Sequence, residues 1–303
     1  MTADRIRLKV PLLCGNLGPG YDTFGMALEK FNFIEMWVTP EGLKVEIIGE
    51  GADFLPRDAS CVVYKAVDEV FRKHNSMLPG LSIRIENNIP VGKGLGSFAG
   101  AVAAGVFGAN YLLGNPFTQS QLIAIAASKV GSTSNVAAAF LGNFVITSRY
   151  EDVYSSAVFP AHIQPVLVIP DVPCYNPLTV KKNIAQKVSL EDANYNMTHA
   201  ALLAISLCSN EYSELLKMAF SDRLVCPHRQ SYFPGARDIF LYLQSIDSYG
   251  ISFCNDGPSF VFFLKSGRDC LKHINKVERL LKSRDISAAI HVLPVSGQGI
   301  SIE

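Results

Sequence analysis

The chain has 303 residues, of which 49% are hydrophobic and 18% are charged, so it can build a sizeable core and is not intrinsically disordered. Its 27 basic and 27 acidic residues give a formal net charge of +0, which argues against a general role in binding nucleic acid. At about 100–200 residues per domain, this length predicts one large domain or two ordinary ones.

The cysteines indicate a reducing compartment. There are seven of them, widely spaced and without a CxxC pair, so neither a disulfide framework nor a zinc site is expected. The first thirteen residues carry charges early and lack the apolar stretch of a signal peptide. We therefore expect a cytoplasmic protein.

The first half of the chain contains strands at positions where apolar residues alternate between turn residues. The predicted strands of this part are residues 5–11, 33–38, 43–48, 81–85, 143–147 and 166–169. Ser60 begins a predicted helix whose apolar side chains, among them Val63, Val67 and Val70, fall on one face.

One long stretch, residues 94–128, contains no charged residue. A membrane span needs about 20 consecutive apolar residues, and this stretch is interrupted by Asn110 and by the turn at residues 114–116. It therefore predicts two buried helices, over about 97–113 and 117–129, and no contact with a membrane.

Polar residues at positions 149–158 predict a domain boundary, which divides the chain into residues 1–150 and 151–303. Beyond it, the apolar spacing predicts helices at residues 190–208, 210–219, 235–246 and 268–283 and strands at residues 259–264, 289–292 and 299–302. Strands and helices are mixed without strict alternation, so the predicted fold class is α+β.

The glycine-rich segment at residues 87–100 carries the clearest chemical signal. Gly92, Gly94 and Gly96 occupy alternate positions between a predicted strand and a predicted helix. Glycine allows backbone amides to approach an anion, and the helix that follows adds free amides and the positive end of its dipole. Ser97 suits the N-cap position and can offer its hydroxyl to a phosphate.

Two interpretations of this segment are open. Its spacing is neither that of a Walker A loop nor clearly that of a Rossmann fingerprint. It is therefore either a phosphate cradle of another kind or a structural turn before an alanine-rich helix.

The glycine loop closely resembles the PxxxGLGSS motif of the GHMP kinases. Residues 10–25, VPLLCGNLGPGYDTFG, are similar to the VPATxANLGPGFDxxG signature of the homoserine kinase branch of that superfamily. Further similar segments follow in the same order, at residues 131–143, 222–229 and 257–259. The resemblance spans nearly the whole chain.

This resemblance implies a two-domain GHMP-kinase-like α+β fold, with a nucleotide-binding domain at residues 1–150, an α+β domain at residues 151–303 and the active site between them. It implies transfer of the ATP γ-phosphoryl to the side-chain hydroxyl of L-homoserine, in threonine biosynthesis. The expected partner is thus L-homoserine or a similar amino alcohol, and a homodimer is compatible with this kind of fold.

The resemblance also implies which residues bind the substrate. Asn16 and Asp22 hold the amino acid, Asn135 contacts it near the reacting hydroxyl, and Arg229 binds its carboxylate. The residue types suit these roles, because the Asp22 carboxylate can neutralise an ammonium group and the Arg229 guanidinium can bind a carboxylate with two parallel hydrogen bonds. Asn135 and Arg229 are also the predicted catalytic residues.

ATP and Mg²⁺ are the expected cofactors, bound at the glycine loop. Ser97 is the expected metal contact. The nucleotide-binding residues implied by the resemblance are Pro90, Gly92, Lys93, Gly94, Leu95, Gly96 and Ser97.

The sequence departs from the family pattern at several functional positions. Phe98 replaces the second serine of the loop, and Cys61 stands where an adenine-side asparagine is expected. The family's magnesium-binding glutamate, substrate-contacting histidine and aspartate correspond to Val130, Ser132 and Ser134.

Two further motifs are altered. The family's SGxGPS motif is Cys-Asn-Asp-Gly-Pro-Ser at residues 254–259, and an expected arginine falls near Lys181 and Lys182. Asp256 is a candidate to replace the missing carboxylate ligand of the metal, and Lys93 is a candidate to replace part of the metal's positive charge.

Three hypotheses follow. The first is an active homoserine kinase. The second is a degenerate family member that binds a small molecule or a partner without turnover. The third is a kinase of the superfamily with another hydroxyl acceptor.

Overall fold

The computed structural model describes residues 5–150, 153–161, 163–173, 184, 187–231, 233, 235–246, 248–265 and 270–303. Within these residues the chain forms one seven-stranded sheet and one four-stranded sheet. The strands of the first sheet are β1 (Arg5–Gly15), β2 (Phe24–Thr39), β3 (Leu43–Gly49), β4 (Gly80–Asn87), β5 (Phe144–Tyr150), β6 (Val153–Phe159) and β11 (Ser301–Ile302). Those of the second sheet are β7 (Ile163–Pro170), β8 (Gly250–Phe253), β9 (Phe260–Lys265) and β10 (Ala288–Val292).

The first sheet has the strand order β11-β1-β2-β4-β3, and β5 joins β2 to β6. All its pairings are antiparallel except that of β3 with β4. The second sheet has the order β10-β7-β9-β8 and is antiparallel throughout.

Helices cover both sheets. They are α1 (Val62–Lys73), α2 (Ser97–Leu112), α3 (Gln119–Val130), α4 (Thr133–Leu141), α5 (Leu190–Cys208), α6 (Leu216–Ala219), α7 (Cys226–Arg229), α8 (Ala236–Ser245) and α9 (Cys270–Lys282). A 3₁₀ helix at Asn210–Leu215 precedes α6. No helix of the described part of the chain has the length and apolar character needed to cross a membrane.

Helix α2 packs closely because two of its residues lack a side chain. A Cβ atom at Gly105 would lie 2.6 Å from the carbonyl oxygen of Val63 in α1, and one at Gly108 would overlap the Met36 side chain of β2. These glycines let α2 lie directly on α1 and on the sheet, which explains how an uncharged helix becomes buried.

A second apolar cluster joins the two sheets. It contains Leu12 and Cys14 from β1, Leu95 from the glycine loop, and Leu167 and Phe263 from the second sheet. The glycine loop and the end of β1 are therefore anchored where the two halves of the molecule meet.

The α+β class is confirmed, and the structure changes several details. Helix α4 has no counterpart among the predicted helices, and the predicted helix at residues 210–219 is a 3₁₀ turn followed by α6. Residues 268–269 of the last predicted helix lie outside the described residues.

Strands on both sides of the predicted boundary at residue 150 belong to the first sheet. Strand β6 pairs with β5 in the first sheet, and β11 returns to the same sheet at the end of the chain. The division at residue 150 remains a prediction.

An ion-pair cluster links α1 to α3 and makes stability dependent on pH. Glu69 lies 2.9 Å from Lys129 and 3.1 Å from Arg72. The hydrogen bond from Lys129 holds the pKa of Glu69 below its ordinary value. The carboxylate therefore stabilises the folded state fully above the ordinary carboxyl pKa, and this contribution is lost as the pH falls through the lower folded-state pKa.

We predict that Glu69→Gln lowers the free energy of unfolding by about 1 kcal/mol at pH 7, as expected for a networked surface pair. The difference from the unmutated protein begins to close near the ordinary carboxyl pKa of about 4.3 and is gone once the pH lies below the lower folded-state pKa, where the carboxylate is protonated in both states. Urea unfolding at pH 7 and at a pH below the folded-state pKa measures this difference in the free energy of unfolding. Glu46→Gln is the control, because Glu46 lies 4.0 Å from its partner Arg84. A difference that persists at low pH would contradict this account.

Candidate active site

The glycine loop connects β4 to α2 in a conformation that its sequence requires. Gly92, Gly94 and Gly96 have φ angles of 74°, 79° and 74°, in the left-handed region that favours glycine. Gly96 is the N-cap residue of α2, and Ser97 is the first residue of the helix. The prediction that Ser97 caps α2 is therefore wrong, because its hydroxyl instead donates to the carbonyl oxygen of Pro90 at 3.3 Å.

The loop lies directly against the turn at residues 254–259. A Cβ atom at Gly94 would lie 2.6 Å from the Cα of Gly257, and one at Gly257 would overlap the amide nitrogen of Gly94. Two backbones meet here without side chains between them, so both positions require glycine.

Asn255 fastens this contact to the end of β1. Its Nδ2 donates to the carbonyl oxygens of Leu13 at 2.9 Å and Gly94 at 2.7 Å. Its Oδ1 accepts from the amide of Gly15 at 2.9 Å. With a φ of 48°, Asn255 adopts the left-handed conformation that asparagine tolerates better than most residues, which explains how it replaces the family's glycine.

The turn after β1 holds Asn16 and Asp22. Both residues are left-handed, with φ angles of 58° and 54°. The Oδ1 of Asn16 accepts from the amide of Asp22 at 2.7 Å, and the amide of Gly18 donates to Ser252 of β8 at 3.0 Å. Asn16 is buried and Asp22 is exposed, and the second sheet supports the turn that carries both residues.

Asn135 lies in the first turn of α4, beside the same end of β1. A Cβ atom at Gly15 would lie 2.6 Å from its Oδ1. Its Nδ2 donates to the Ser132 hydroxyl at 3.1 Å. Within the described residues, the buried Oδ1 of Asn135 and Oγ of Ser134 have no hydrogen-bond partner. Buried polar groups are normally paired, so these atoms indicate a place for a polar ligand.

Arg229 is also buried and only partly paired. It ends α7, is 2% exposed, and its Nη2 donates to Asp256 at 3.0 Å. Its Nε has no partner in the described part of the molecule. The guanidinium lies 5.8 Å from the ring centre of Tyr21, whose pKa is raised by burial and by the nearby Asp256 carboxylate.

Asp222 holds the short helix that carries Arg229. Its Oδ2 accepts from the amide of Cys226 at 2.7 Å, and its Oδ1 accepts from the amide of Leu224 and from Asn196, each at 2.8 Å. Burial, with the Asp222 charge as a smaller cause, raises the pKa of the Cys226 thiol to about 12. Asp222 therefore holds the backbone at the start of α7 in place.

Lys93 does not point its charge into the loop. Its Nζ donates to the carbonyl oxygen of Val172 at 2.5 Å and lies 4.0 Å from Asp171. The ammonium group therefore ties the glycine loop to the end of β7. Asp256, the candidate for the missing carboxylate ligand of the metal, is paired with Arg229.

The structure thus brings together predicted residues from distant segments. Asn16, Asn135 and Arg229 surround the end of β1, and Asn255 connects that end to the glycine loop. Lys181 and Lys182 lie outside the described residues. Sequence reasoning gave no role to Asn255 or Asp222; the available signal was an asparagine at a glycine position and an aspartate just before a short helix.

The comparisons with known proteins agree with this geometry. Residues 62–143 match the family model described as the GHMP kinases N terminal domain. The homoserine kinase of Petrotoga mobilis is 30% identical over 299 residues, which cover 98% of this chain and 96% of that protein. The homoserine kinase of Corynebacterium aurimucosum is 35% identical over 239 residues, or 76% and 77% of the two chains.

A solved structure extends the agreement to the fold. The crystal structure of homoserine kinase from Cytophaga hutchinsonii has a TM-score of 0.89 and 22% identity, and the match covers 100% of this chain and 98% of that one. The fold and the glycine loop are those of a GHMP kinase. Within that class, the chain belongs to the homoserine kinase family.

Asn255 is the residue whose loss should disturb this site most. We predict that Asn255→Gly lowers the free energy of unfolding by about 3 kcal/mol, because two buried backbone groups and the half-buried carbonyl of Gly94 lose their partner. Asn255→Ala should cost about 1 kcal/mol more, because alanine disfavours the left-handed conformation.

The matched control is Asn75, which is exposed and has a φ of 56°. The free energies of unfolding of Asn75→Gly and Asn75→Ala, measured by chemical denaturation, should differ only by the cost of the left-handed conformation for alanine. If Asn255→Gly proves as stable as the unmutated protein, the three bonds do not hold the site together.

Proposed function

We propose that this protein transfers the γ-phosphoryl group of ATP to the side-chain hydroxyl of L-homoserine. The observation that carries the proposal is a pair of buried groups without a partner among the described residues: Asn135 Oδ1, which lies beside Gly15 at the end of β1, and Nε of Arg229, which borders the same small cavity as Asn16. A polar substrate with a hydroxyl and a carboxylate would satisfy both groups.

The glycine loop is the phosphate side of the proposed site. Its backbone amides and the N-terminus of α2 supply positive partial charge without a side chain. The residues Pro90 to Ser97 form this cradle, and Leu95, which is 1% exposed, anchors it in the core. The nucleobase extends from the cradle toward α1, where Cys61 stands at the position that the family pattern gives to an adenine-side residue.

The substrate side is built from polar groups of both halves. Arg229 binds the substrate carboxylate through the part of its guanidinium that Asp256 does not use. Asp22 neutralises the substrate ammonium group. The Oδ1 of Asn135 accepts a hydrogen bond from the reacting hydroxyl and so orients its oxygen. Phosphoryl transfer depends mainly on positioning and charge stabilisation, so a strong base is not required.

Magnesium fits this chain as part of the Mg·ATP substrate and not as a resident ion. The residues that the structure describes contain no group of three or more His, Cys, Asp or Glu side chains suited to a metal. Val130 packs against the first core, and Ser97 offers only a hydroxyl oxygen. Magnesium sites in proteins normally use one or two carboxylates, so this donor set is weak.

The ion pair between Arg229 and Asp256 favours a second candidate. A substrate carboxylate has to share the guanidinium with a protein carboxylate. This supports a family member that binds a small molecule or a partner without turnover, or a kinase whose hydroxyl acceptor lacks a carboxylate.

We also propose a cytoplasmic location. The described cysteines Cys14, Cys61, Cys208, Cys226 and Cys254 are free thiols, which supports a cytoplasmic location. The homodimer remains a prediction.

The glycine contact gives a direct test of the phosphate side. We predict that Gly94→Ala abolishes measurable ATP binding in calorimetry, because the added methyl collides with the backbone at residues 254–257 and distorts the loop. Gly42→Ala is the matched control, because Gly42 has the same φ of 79° and nothing within 4 Å of an added Cβ. Equal ATP affinity of the two variants would exclude the loop as the nucleotide site.

Arg229 tests the substrate side. We expect the unmutated protein to release ADP in the presence of ATP and L-homoserine. In Arg229→Lys, kcat/KM for L-homoserine should fall about 100-fold or more, because lysine cannot make the bidentate contact with the substrate carboxylate. In the unmutated protein, 3-aminopropanol, which is L-homoserine without its carboxylate, should be a poorer acceptor by a similar factor.

The same assay separates the alternatives. ADP release no greater than in Arg229→Ala would indicate a protein without turnover. A preference for 3-aminopropanol, threonine, mevalonate or a sugar would indicate another acceptor.

A further inference from the structure

An apolar cavity of about 140 Å³ lies beside the glycine loop, on the side that faces α1. Its wall includes Cys61 and Val62 at the start of α1, Val91 from the loop, and Phe98 from the first turn of α2. Phe98 is 54% exposed, which is unusual for a large aromatic side chain next to an apolar cavity. The cavity is therefore open at an edge formed by this ring.

The polar side chains of this wall already bind the protein backbone. The Oδ1 of Asn32 accepts from the amides of Asn88 at 2.8 Å and Ile89 at 3.0 Å. The Nδ2 of Asn87 donates to the carbonyl oxygen of Glu50 at 2.9 Å, and the Ser97 hydroxyl donates to Pro90. These bonds fix the orientation of the few polar side chains in a wall whose other residues are mostly apolar.

We propose that Phe98 determines the nucleotide selectivity of the protein: its ring stacks on the base of the phosphoryl donor, and the purine bases are accepted with little discrimination. The inference rests on the proposed function, because it assumes that the glycine loop binds the triphosphate. A nucleotide base is the expected occupant because the cavity is continuous with the glycine loop: Ser97 and Val91 belong both to the loop and to the wall of the cavity.

Physical chemistry explains why stacking would relax selectivity. Every base has an aromatic face, so an aromatic platform binds bases with little regard to their edges. Strong rejection of a related ligand requires buried polar groups that the wrong ligand leaves unpaired, and a mostly apolar wall provides few of them. ATP, GTP and ITP should therefore bind within about tenfold of one another.

The experiment measures dissociation constants by calorimetry for ATP, GTP, ITP and inorganic tripolyphosphate, which has the phosphates without a base. Phe98→Ser should weaken the three nucleotides about 10-fold to 100-fold, the range expected for one stacking contact, and leave tripolyphosphate unchanged. Phe98→Tyr should retain the affinity of the unmutated protein. Phe54→Ser is the matched control, because Phe54 is 69% exposed and does not line the cavity.

Several results would overturn the inference. They are a preference for ATP over GTP above about 100-fold in the unmutated protein, equal loss of tripolyphosphate and ATP binding in Phe98→Ser, or no loss at all. These outcomes leave the proposed function intact. If the unmutated protein binds neither tripolyphosphate nor any nucleotide, the proposed function fails instead.

Discussion

The contact between Gly94 and the 254–259 turn is the constraint on which the candidate site depends. Two backbone segments approach so closely that neither tolerates a Cβ atom, and the Asn255 side chain bonds both to the end of β1. The three hydrogen bonds of the Asn255 side chain are costly to disturb, because each lost bond leaves a backbone group without a partner and away from water. The glycine loop is therefore held by a residue about 160 positions away.

This constraint shows what local sequence patterns can and cannot predict. Periodicity identified β3, α1 and α2 because each buries one face or one uncharged surface on its neighbours. The left-handed glycines were evident from spacing and chemistry. The bridge made by Asn255 was not predictable from local patterns, because it joins segments separated by about 240 residues, and an asparagine in a turn usually bonds to its own neighbours.

Helix α4 and the pairing of Arg229 illustrate two other limits. The sequence of α4 has no charged residue and three consecutive alanines, so it lacks the two-sided pattern that marks a surface helix. Its residues are buried nearly all round, so packing against neighbouring elements stabilises this helix. The family resemblance predicts that Arg229 binds the substrate carboxylate, and this role stays a prediction. Its pairing with Asp256 was not predictable, because local sequence patterns do not show toward which residue a side chain in a turn points.

The departures from the family pattern fall on both sides of the site. On the nucleotide side, Cys61 and Phe98 replace polar family residues with less polar ones, and both line a cavity whose walls are mostly apolar. These replacements favour recognition of the base through apolar contact instead of hydrogen bonding.

On the substrate side, Ser132 and Ser134 stand where the family has a histidine and an aspartate. The Ser132 hydroxyl accepts a hydrogen bond from Asn135, which matches the family pattern. Asn135 and Arg229 both contain buried atoms with no partner among the described residues. The substrate side therefore loses charge at two positions, while it retains polar groups that can meet a hydroxyl and a carboxylate.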